Sequence, residues 1–330
     1  MPSTKHYSVS RWTVTLAMVL VMSATTASAE MMFRYRSPSV GNLSAANQQE
    51  NAVDPVEVAP SCDDPANVDT VGNAPGCQGM LIVDDSALRS AASENADPSG
   101  GYQSGGAGHG NFEISHASGT YTFADNNKNI FTGQVEDMSH LFRGTNFHGD
   151  IGYWDVSGVK DMSYMFYDTP FNQDISGWDV SNVENMGNLF YNTPFNQDIG
   201  GWDVSSVKSM SGMFYNTPFN KDISNWVVSN VTAMYSTFKN SSFNQYIGSW
   251  DVSNATNMGG TFEGSSFNQD IGSWDVSNVT WMGEMFKNSS SFNQDLSGWC
   301  VSGISSEPSY FDPGASSWNK LRPDWGNCPN

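Results

Sequence analysis

A 24-residue unit recurs along the C-terminal part of the chain, and tryptophan marks its period. The unit that begins at Trp178 reads WDVSNVENMGNLFYNTPFNQDIGG and leads directly into Trp202. The tryptophans at this spacing, with one inserted residue before the last, are Trp154, Trp178, Trp202, Trp226, Trp250, Trp274 and Trp299. Self-similarity at a fixed period of this size is typical of a solenoid, in which each unit buries its apolar face against its neighbours. The repeat therefore predicts a solenoid of about seven stacked coils.

The apolar positions of the repeat keep a constant phase and define its expected interior. In the unit from Trp154 they are Trp154, Val156, Val159, Met162, Phe166, Phe171 and Ile175. The spacing of Trp154 and Val156 is typical of a strand, whereas the spacing from Val159 to Phe166 suits a helical or 3₁₀ arc. We therefore expect short parallel strands and short helical or 3₁₀ arcs. The tryptophans are expected to be structural core, the alternative being an exposed platform for sugars.

The N-terminus carries a secretory pattern. Basic residues precede an apolar run from Trp12 to Met22, and small residues then lead to Ala29. This order predicts a signal peptide over residues 1–29 that is removed after Ala29. The alternative is a transmembrane anchor, but the run is shorter than the roughly 20 residues that a span needs. Because no later apolar stretch could span a bilayer, we expect a secreted or cell-surface protein without a membrane span.

The remaining segments differ in composition. Residues 30–79 are acidic and poor in large apolar side chains, which predicts a mostly disordered linker. Residues 80–134 are expected to form an N-terminal cap, residues 135–304 the repeat solenoid, and residues 305–330 a C-terminal cap.

Both predicted caps contain residues suited to closing the core. In the N-terminal cap, a short apolar run is followed by a possible helix with one of residues 84–86 as its N-cap. In the C-terminal cap, Trp318, Leu321 and Trp325 are expected to cover the open end of the last coil.

The four cysteines, Cys62, Cys77, Cys300 and Cys328, suit an oxidising compartment. Four cysteines allow three pairings. We expect the local pairing, Cys62 with Cys77 and Cys300 with Cys328, because each pair lies on one side of the repeats. Free thiols are the alternative, and the spacing matches no zinc site.

The net negative charge of the chain disfavours polyanionic partners. Acidic residues outnumber basic residues 34 to 14, which gives a formal net charge of -20. Nucleic acid is bound through basic surface that releases counterions, so we expect no nucleic-acid partner. Docking on anionic lipid is disfavoured for the same reason.

The repeat itself resembles a known family. The run FNQDISGWDVSNV from Phe171 to Val183, continuing into a Met-x-x-Leu/Met-Phe pattern, resembles the repeats of BspA-like leucine-rich-repeat surface proteins, also catalogued as a mycoplasma-type lipoprotein repeat of unknown function. The resemblance implies an extracellular, leucine-rich-repeat-like (LRR-like) solenoid used for adhesion or partner binding, with no known catalysis. Two departures stand out: the leucine positions are occupied by Phe, Met, Ile and Trp, and no lipid-attachment cysteine follows Ala29.

Positions that vary from unit to unit indicate the solvated surface. Tyr167, Tyr191 and Tyr215 follow a core phenylalanine in three successive units, whereas later units carry Lys or Glu there. We predict that these tyrosines form an exposed row that binds an extracellular protein or, as the alternative, a glycan.

Aspartates also recur at fixed phase. One row contains Asp174, Asp198 and Asp222, which are candidate ligands of a calcium ion because stacked carboxylates repel and calcium prefers oxygen ligands. The structural alternative is that each aspartate caps a turn through backbone N–H groups. Rows of asparagine and serine, such as those of Asn172 and Ser157, are expected to form buried structural ladders. No other cofactor is predicted.

Catalytic motifs are not evident. The five histidines are scattered, and no G-x-S-x-G, P-loop or H-E-x-x-H motif occurs. We therefore expect a protein that is not an enzyme, with a hydrolase built on paired carboxylates as a remote alternative.

Overall fold

The computed structural model describes residue 62 and residues 77–78, 80–94, 113–122 and 130–329 of the 330-residue chain. The predicted signal peptide and nearly all of the predicted linker lie outside the described residues. The described residues fall within one unit, residues 57–330.

The region predicted as the N-terminal cap contains short regular elements. In chain order these are β1 (Leu81–Ile82), α1 (Asp85–Glu94), β2 (Glu113–His116), β3 (Gly119–Thr122) and β4 (Ile130–Phe131). Strand β1 pairs with β4 in parallel, and β2 pairs with β3 in antiparallel register.

Helix α1 begins directly after a capping aspartate. Asp84 is the N-cap, because its Oδ1 accepts the N–H of Ala87 at 2.8 Å. Leu81, Val83 and Leu88 are buried in the same apolar cluster as Val135 and Met138 of the first repeat. The cap therefore extends the core of the repeats at their N-terminal end.

The repeats form coils that stack on one another. We number the coils 1 to 7 by their first residues, which are 135, 159, 183, 207, 231, 255 and 279. In coil 1, alternate N–H groups donate to carbonyls of coil 2, at 2.7–3.0 Å. These donors are Met138, His140, Phe142 and Gly144, and their acceptors are Asp161, Ser163, Met165 and Tyr167. The same pattern links each later pair of coils, and we call residues 136–144 and their equivalents the ladder face.

Strand structure within the coils is shorter than expected and lies elsewhere. Over residues 132–329, pairing is limited to one-residue parallel bridges, from Asp137↔Asp161 to Asn257↔Trp281. The prediction of a strand at the Trp-x-Val step was wrong. The N–H groups that alternate with the ladder donors bond within their own coil, as Leu141 does to Met138, so a strand cannot propagate.

The arcs that follow are turns, and the prediction of a helix or 3₁₀ segment was also wrong for the described coils. His140 has φ of 62° and Gly144 has φ of 68°, and the equivalent residues of the other coils have similar values. A right-handed helix requires negative φ throughout, so these left-handed residues convert the arc into successive tight turns.

Aromatic side chains fill the interior. All seven tryptophans of the repeat are at most 4% exposed, and neighbouring indoles such as Trp178 and Trp202 are parallel, with ring centroids 6.5 Å apart. From Trp178 onward, each indole N–H donates to an isoleucine carbonyl of the preceding coil, at 2.9–3.2 Å. Each of these six tryptophans therefore buries a large apolar surface without leaving its polar atom unsatisfied.

The C-terminal segment follows the path of one more coil. The N–H groups of Glu284 and Phe286 donate to carbonyls of Ser309 and Phe311, as in the ladder between the repeats. Trp318 packs edge-on against Phe292, with ring centroids 4.7 Å apart, and so covers the end of the core. Leu321 does not contribute to this closure as expected, because it is 62% exposed.

Both disulfides have the local pairing. Cys62 bonds to Cys77, and Cys300 bonds to Cys328. The first packs with Ile82 beside the N-terminal cap, and the second joins the end of coil 7 to the C-terminal segment.

Candidate functional site

Tyr167, Tyr191 and Tyr215 form a continuous stack on the ladder face, which we call the aromatic column. Ring centroids are 4.4 Å apart between Tyr167 and Tyr191 and 4.2 Å apart between Tyr191 and Tyr215, with planes 12° from parallel in both pairs. All three side chains are half-buried. Because the rings cover one another's faces, the column presents mainly ring edges and hydroxyl groups to solvent.

Cations lie at both ends of the aromatic column. The guanidinium carbon of Arg143 is 4.9 Å from the ring centroid of Tyr167, and Nζ of Lys239 is 5.7 Å from that of Tyr215. Arg143 also lies 5.0 Å from the ring centroid of Tyr164. These distances permit cation–π attraction, which holds the outer faces of the stack.

The central phenol of the aromatic column, that of Tyr191, stays neutral. Burial raises the pKa of Tyr191 well above its ordinary value, and a hydrogen bond with Tyr215 raises it further. Positive charge thus lies at the two ends of the column, on either side of this neutral central ring. This local arrangement contrasts with the net charge of -20 on the whole chain.

An ion-pair chain continues the same position into the later coils. Glu263, whose side chain is largely buried, lies 2.6 Å from Nζ of Lys239 and 3.3 Å from Nζ of Lys287. Lys287 also contacts Glu284 at 3.1 Å. One surface position thus carries stacked tyrosines in coils 2 to 4 and alternating charges in coils 5 to 7.

The calcium candidates serve as turn caps. Oδ1 of Asp174 accepts the N–H of Ser176, and Oδ1 of Asp222 accepts that of Ser224, both at 2.9 Å. Asp198 makes the same contact with Gly200 at 3.0 Å. Among the described residues, no three His, Cys, Asp or Glu side chains lie together as a metal site would require. The structural alternative accounts for each contact.

The asparagine row forms a ladder between coils, but its members are half-buried or exposed and not buried as expected. Oδ1 of Asn172 accepts the N–H of Asn196, and Oδ1 of Asn196 accepts that of Asn220. The serine row differs from the expected buried ladder, because Ser157 and Ser181 are half-buried and bond to the aspartate two residues earlier. The aspartates that accept these bonds are themselves exposed, so the turn that they form lies at the surface.

Trp281 was not predicted as a surface residue. It lies outside the 24-residue spacing of the other repeat tryptophans and is 49% exposed. Its position in the repeat could have identified Trp281 as exposed, because the equivalent residues of the other coils are small or polar.

A family model described as "Mycoplasma protein of unknown function, DUF285" matches the chain twice, over residues 113–222 and over residues 216–325. The chain belongs to the DUF285 family. In this DUF285 protein the matched region begins at the first residue of β2 and continues through the coils to Trp325. No curated protein and no solved structure matches the chain significantly. The family description assigns no ligand.

Two further observations bear on where this DUF285 protein is found. Two disulfides suit an oxidising, extracellular setting. Within the described part of the chain, every helix is too short or too polar to cross a bilayer.

Proposed function

We propose that this DUF285 protein is a secreted or cell-surface, non-enzymatic solenoid of LRR-like type that binds an extracellular protein through its ladder face. The observation that carries the proposal is the aromatic column between Arg143 and Lys239. Tyrosine and arginine are enriched among the residues that dominate protein–protein affinity.

Preorganisation supports this use of the aromatic column. Each tyrosine is already fixed by its neighbours, so little tyrosine side-chain entropy would be lost when a partner binds. The exposed prolines Pro170, Pro194 and Pro218 belong to the same coils as the tyrosines and add rigid surface.

The stack favours a protein over a sugar at this position. A sugar ring would stack on an exposed aromatic face, and here the faces are occupied by other rings and by cations. Edges and hydroxyl groups suit hydrogen bonding to a polypeptide instead.

The test compares pull-downs from extracellular-matrix and cell-surface protein preparations. The triple variant Tyr167→Ala, Tyr191→Ala, Tyr215→Ala is expected to lose the partner that the unmodified protein captures. A matched control, Asp179→Asn, Asp203→Asn, Asp251→Asn, changes exposed residues about half a period away and should retain it. Equal capture by the tyrosine variant and the control would refute the proposed face.

Secretion is the second part of the proposal. The signal pattern supports it, and it requires that protein recovered from the medium begin at Glu30. An intact N-terminus on the recovered protein would contradict cleavage after Ala29.

A further inference from the structure

Trp281 is a large aromatic residue at a position where the other coils carry small or polar residues. The equivalent residues of the earlier coils are Asp137, Asp161, Asn185, Ser209, Ala233 and Asn257. Several of these cap a turn, as when Oδ1 of Asp161 accepts the N–H of Ser163 at 2.7 Å. An indole cannot accept that bond, and burial does not explain it because Trp281 is half-exposed. Departures from a local structural rule without a structural gain are typical of functional positions.

Two glycines create the surface on which the indole lies. A Cβ added at Gly259 would collide with Nε1 of Trp281 and lie 2.6 Å from its Cδ1. A Cβ added at Gly283 would lie 2.9 Å from Cζ2. Both ends of the indole therefore rest on main chain that has no side chain. Ser139 and Ser163 occupy the same position in coils 1 and 2 and would push such a ring outward.

A second aromatic side chain borders the same glycine. Tyr235 is 44% exposed, and its Cδ2 would lie 3.2 Å from a Cβ on Gly259. The phenol ring and the indole therefore both border Gly259. We call Trp281, Tyr235 and the two glycines the aromatic shelf.

A hydrogen-bond donor stands beside the aromatic shelf. Asn257 is fixed by its Oδ1, which accepts the N–H of Gly259 at 3.1 Å. In coil 3, the equivalent Asn185 donates its Nδ2 to Asp161 at 3.1 Å. Asn257 instead follows Ala233, which offers no acceptor. Within the described residues, Nδ2 of Asn257 has no hydrogen-bond partner and is free to donate to a ligand.

We propose that the aromatic shelf is a binding site for one ring of a neutral pyranose sugar. The face of an indole carries negative charge density, which attracts the weakly positive C–H groups of a sugar ring. The amide of Asn257 and the phenol of Tyr235 supply polar groups beside the indole with which sugar hydroxyls can form hydrogen bonds. The surplus of acidic residues disfavours acidic sugars.

Other occupants fit the aromatic shelf less well. The exposed half of Trp281 amounts to on the order of 100 Å², whereas a stable protein interface needs about 800 Å² from each partner. Nucleotide bases also stack on aromatic rings, but the acidic chain repels their phosphates. The shelf lies in coils 5 to 7, so it is a different site from the aromatic column of coils 2 to 4, and either proposal can fail alone.

The experiment is a screen of the full chain against an array of neutral oligosaccharides of glucose, galactose, mannose and N-acetylglucosamine, followed by titration of the best binder. Trp281→Asn is the decisive variant, because it restores a residue type that this position carries in other coils and should fold normally. We expect its affinity for the sugar to fall by about tenfold or more, as for loss of an aromatic hot spot. Bound sugar should also shield the tryptophan fluorescence of the unmodified protein from acrylamide.

The matched control is Tyr246→Asp. Tyr246 is 53% exposed, rests on Gly248 and replaces the aspartate of its own row, and the described atoms nearest to a Cβ on Gly248 belong to no second ring. This variant should bind the sugar as the unmodified protein does. Gly259→Ser should weaken binding by displacing the indole. A blank array, equal binding by Trp281→Asn, or a protein ligand at Trp281 would overturn the proposal.

Discussion

Aspartate side chains hold the corners of the coils by accepting N–H groups two residues ahead. Asp179 and Asp203 each accept such a bond from a serine N–H, at 3.1 Å and 3.0 Å. Asp251 and Asp275 do the same in later coils. Bonds from the serine hydroxyl and N–H lower the pKa of each of these four carboxyl groups below its ordinary value of 3.8.

We predict that this row makes stability depend on acid pH. Because the pKa is lower in the folded chain, the unfolded chain takes up protons first as the pH falls. The stabilisation is therefore present above 3.8 and is lost as the pH drops below it. The variant Asp179→Asn, Asp203→Asn, Asp251→Asn, Asp275→Asn should be less stable than the unmodified protein at neutral pH.

Urea unfolding at a series of pH values measures the effect. The difference in unfolding free energy between the two proteins should shrink as the pH is lowered to about 3. A difference that stays constant over this range would show that charge on these aspartates contributes nothing.

Burial was predicted correctly from the sequence for residues that recur at the same position in every repeat. The repeat tryptophans are buried, as their fixed position among apolar residues indicates. Leu321 was misjudged, and Trp281 was missed, because each occurs once and a single apolar residue carries no phase. Hydrophobicity alone favours burial for both, yet both are exposed.

At the scale of the element, the coil is built from turns with left-handed residues at two fixed positions. Non-glycine residues at the first position include His140, Tyr164 and Glu284, with φ between 55° and 62° across such sites. Gly260 occupies the same position in coil 6, with φ of 61°. Each non-glycine residue in this region stores about 1 kcal/mol or more of strain.

We predict opposite effects for two glycine substitutions. Gly260→Ala should lower the unfolding free energy by about 1–2 kcal/mol, because φ is positive and the new Cβ would lie 3.0 Å from Oγ of Ser236. Gly201→Ala is the control, since its Cβ would meet nothing within 4 Å. It should be neutral or stabilising by up to about 1 kcal/mol. Urea unfolding of both variants checks this, and equal losses would contradict the role of φ.

Sequence periodicity could not predict this element. The spacing from Val159 to Met162 and Phe166 fits a helix, but the same side chains can point inward from turns. What decides is the sign of φ at residues such as Tyr164 and Asp168, whose side chains differ from coil to coil. Only the asparagines and glycines at these positions hint at left-handed backbone.

For the whole molecule, the stack is closed differently at its two ends. At the N-terminal end, Oδ1 of Asp85 accepts the N–H groups of Glu136 and Asp137, at 2.8 Å and 3.2 Å. Between coils, the carbonyl of Glu136 fills that role for Lys160. The carboxylate thus takes the place of a preceding coil, and Trp318 covers the other end.

We predict that the stack tolerates loss of one whole coil. Deleting residues 207–230 joins Ser206 to Val231, and every inward position stays in phase. The shortened protein should remain folded and elute in the same oligomeric state as the unmodified protein, with slightly lower thermal stability because one interface is lost. Circular dichroism and size-exclusion chromatography measure this.

Deleting residues 207–218 is the matched control, because it shifts the later repeats out of register with the earlier ones. It removes half a period, so the positions that follow would place polar residues in the core. This variant should fail to fold. Normal folding of both deletions would show that the coils do not depend on a shared register.

The surface position shared by Arg143, Tyr191, Lys239 and Glu263 has one further consequence. The same backbone carries a guanidinium, a phenol, an amine and a carboxylate without any change in path. Single substitutions at this position can therefore change what the surface binds while the backbone stays the same. A gene that gains or loses whole units in tandem would lengthen or shorten the binding surface and keep the register of the remaining coils.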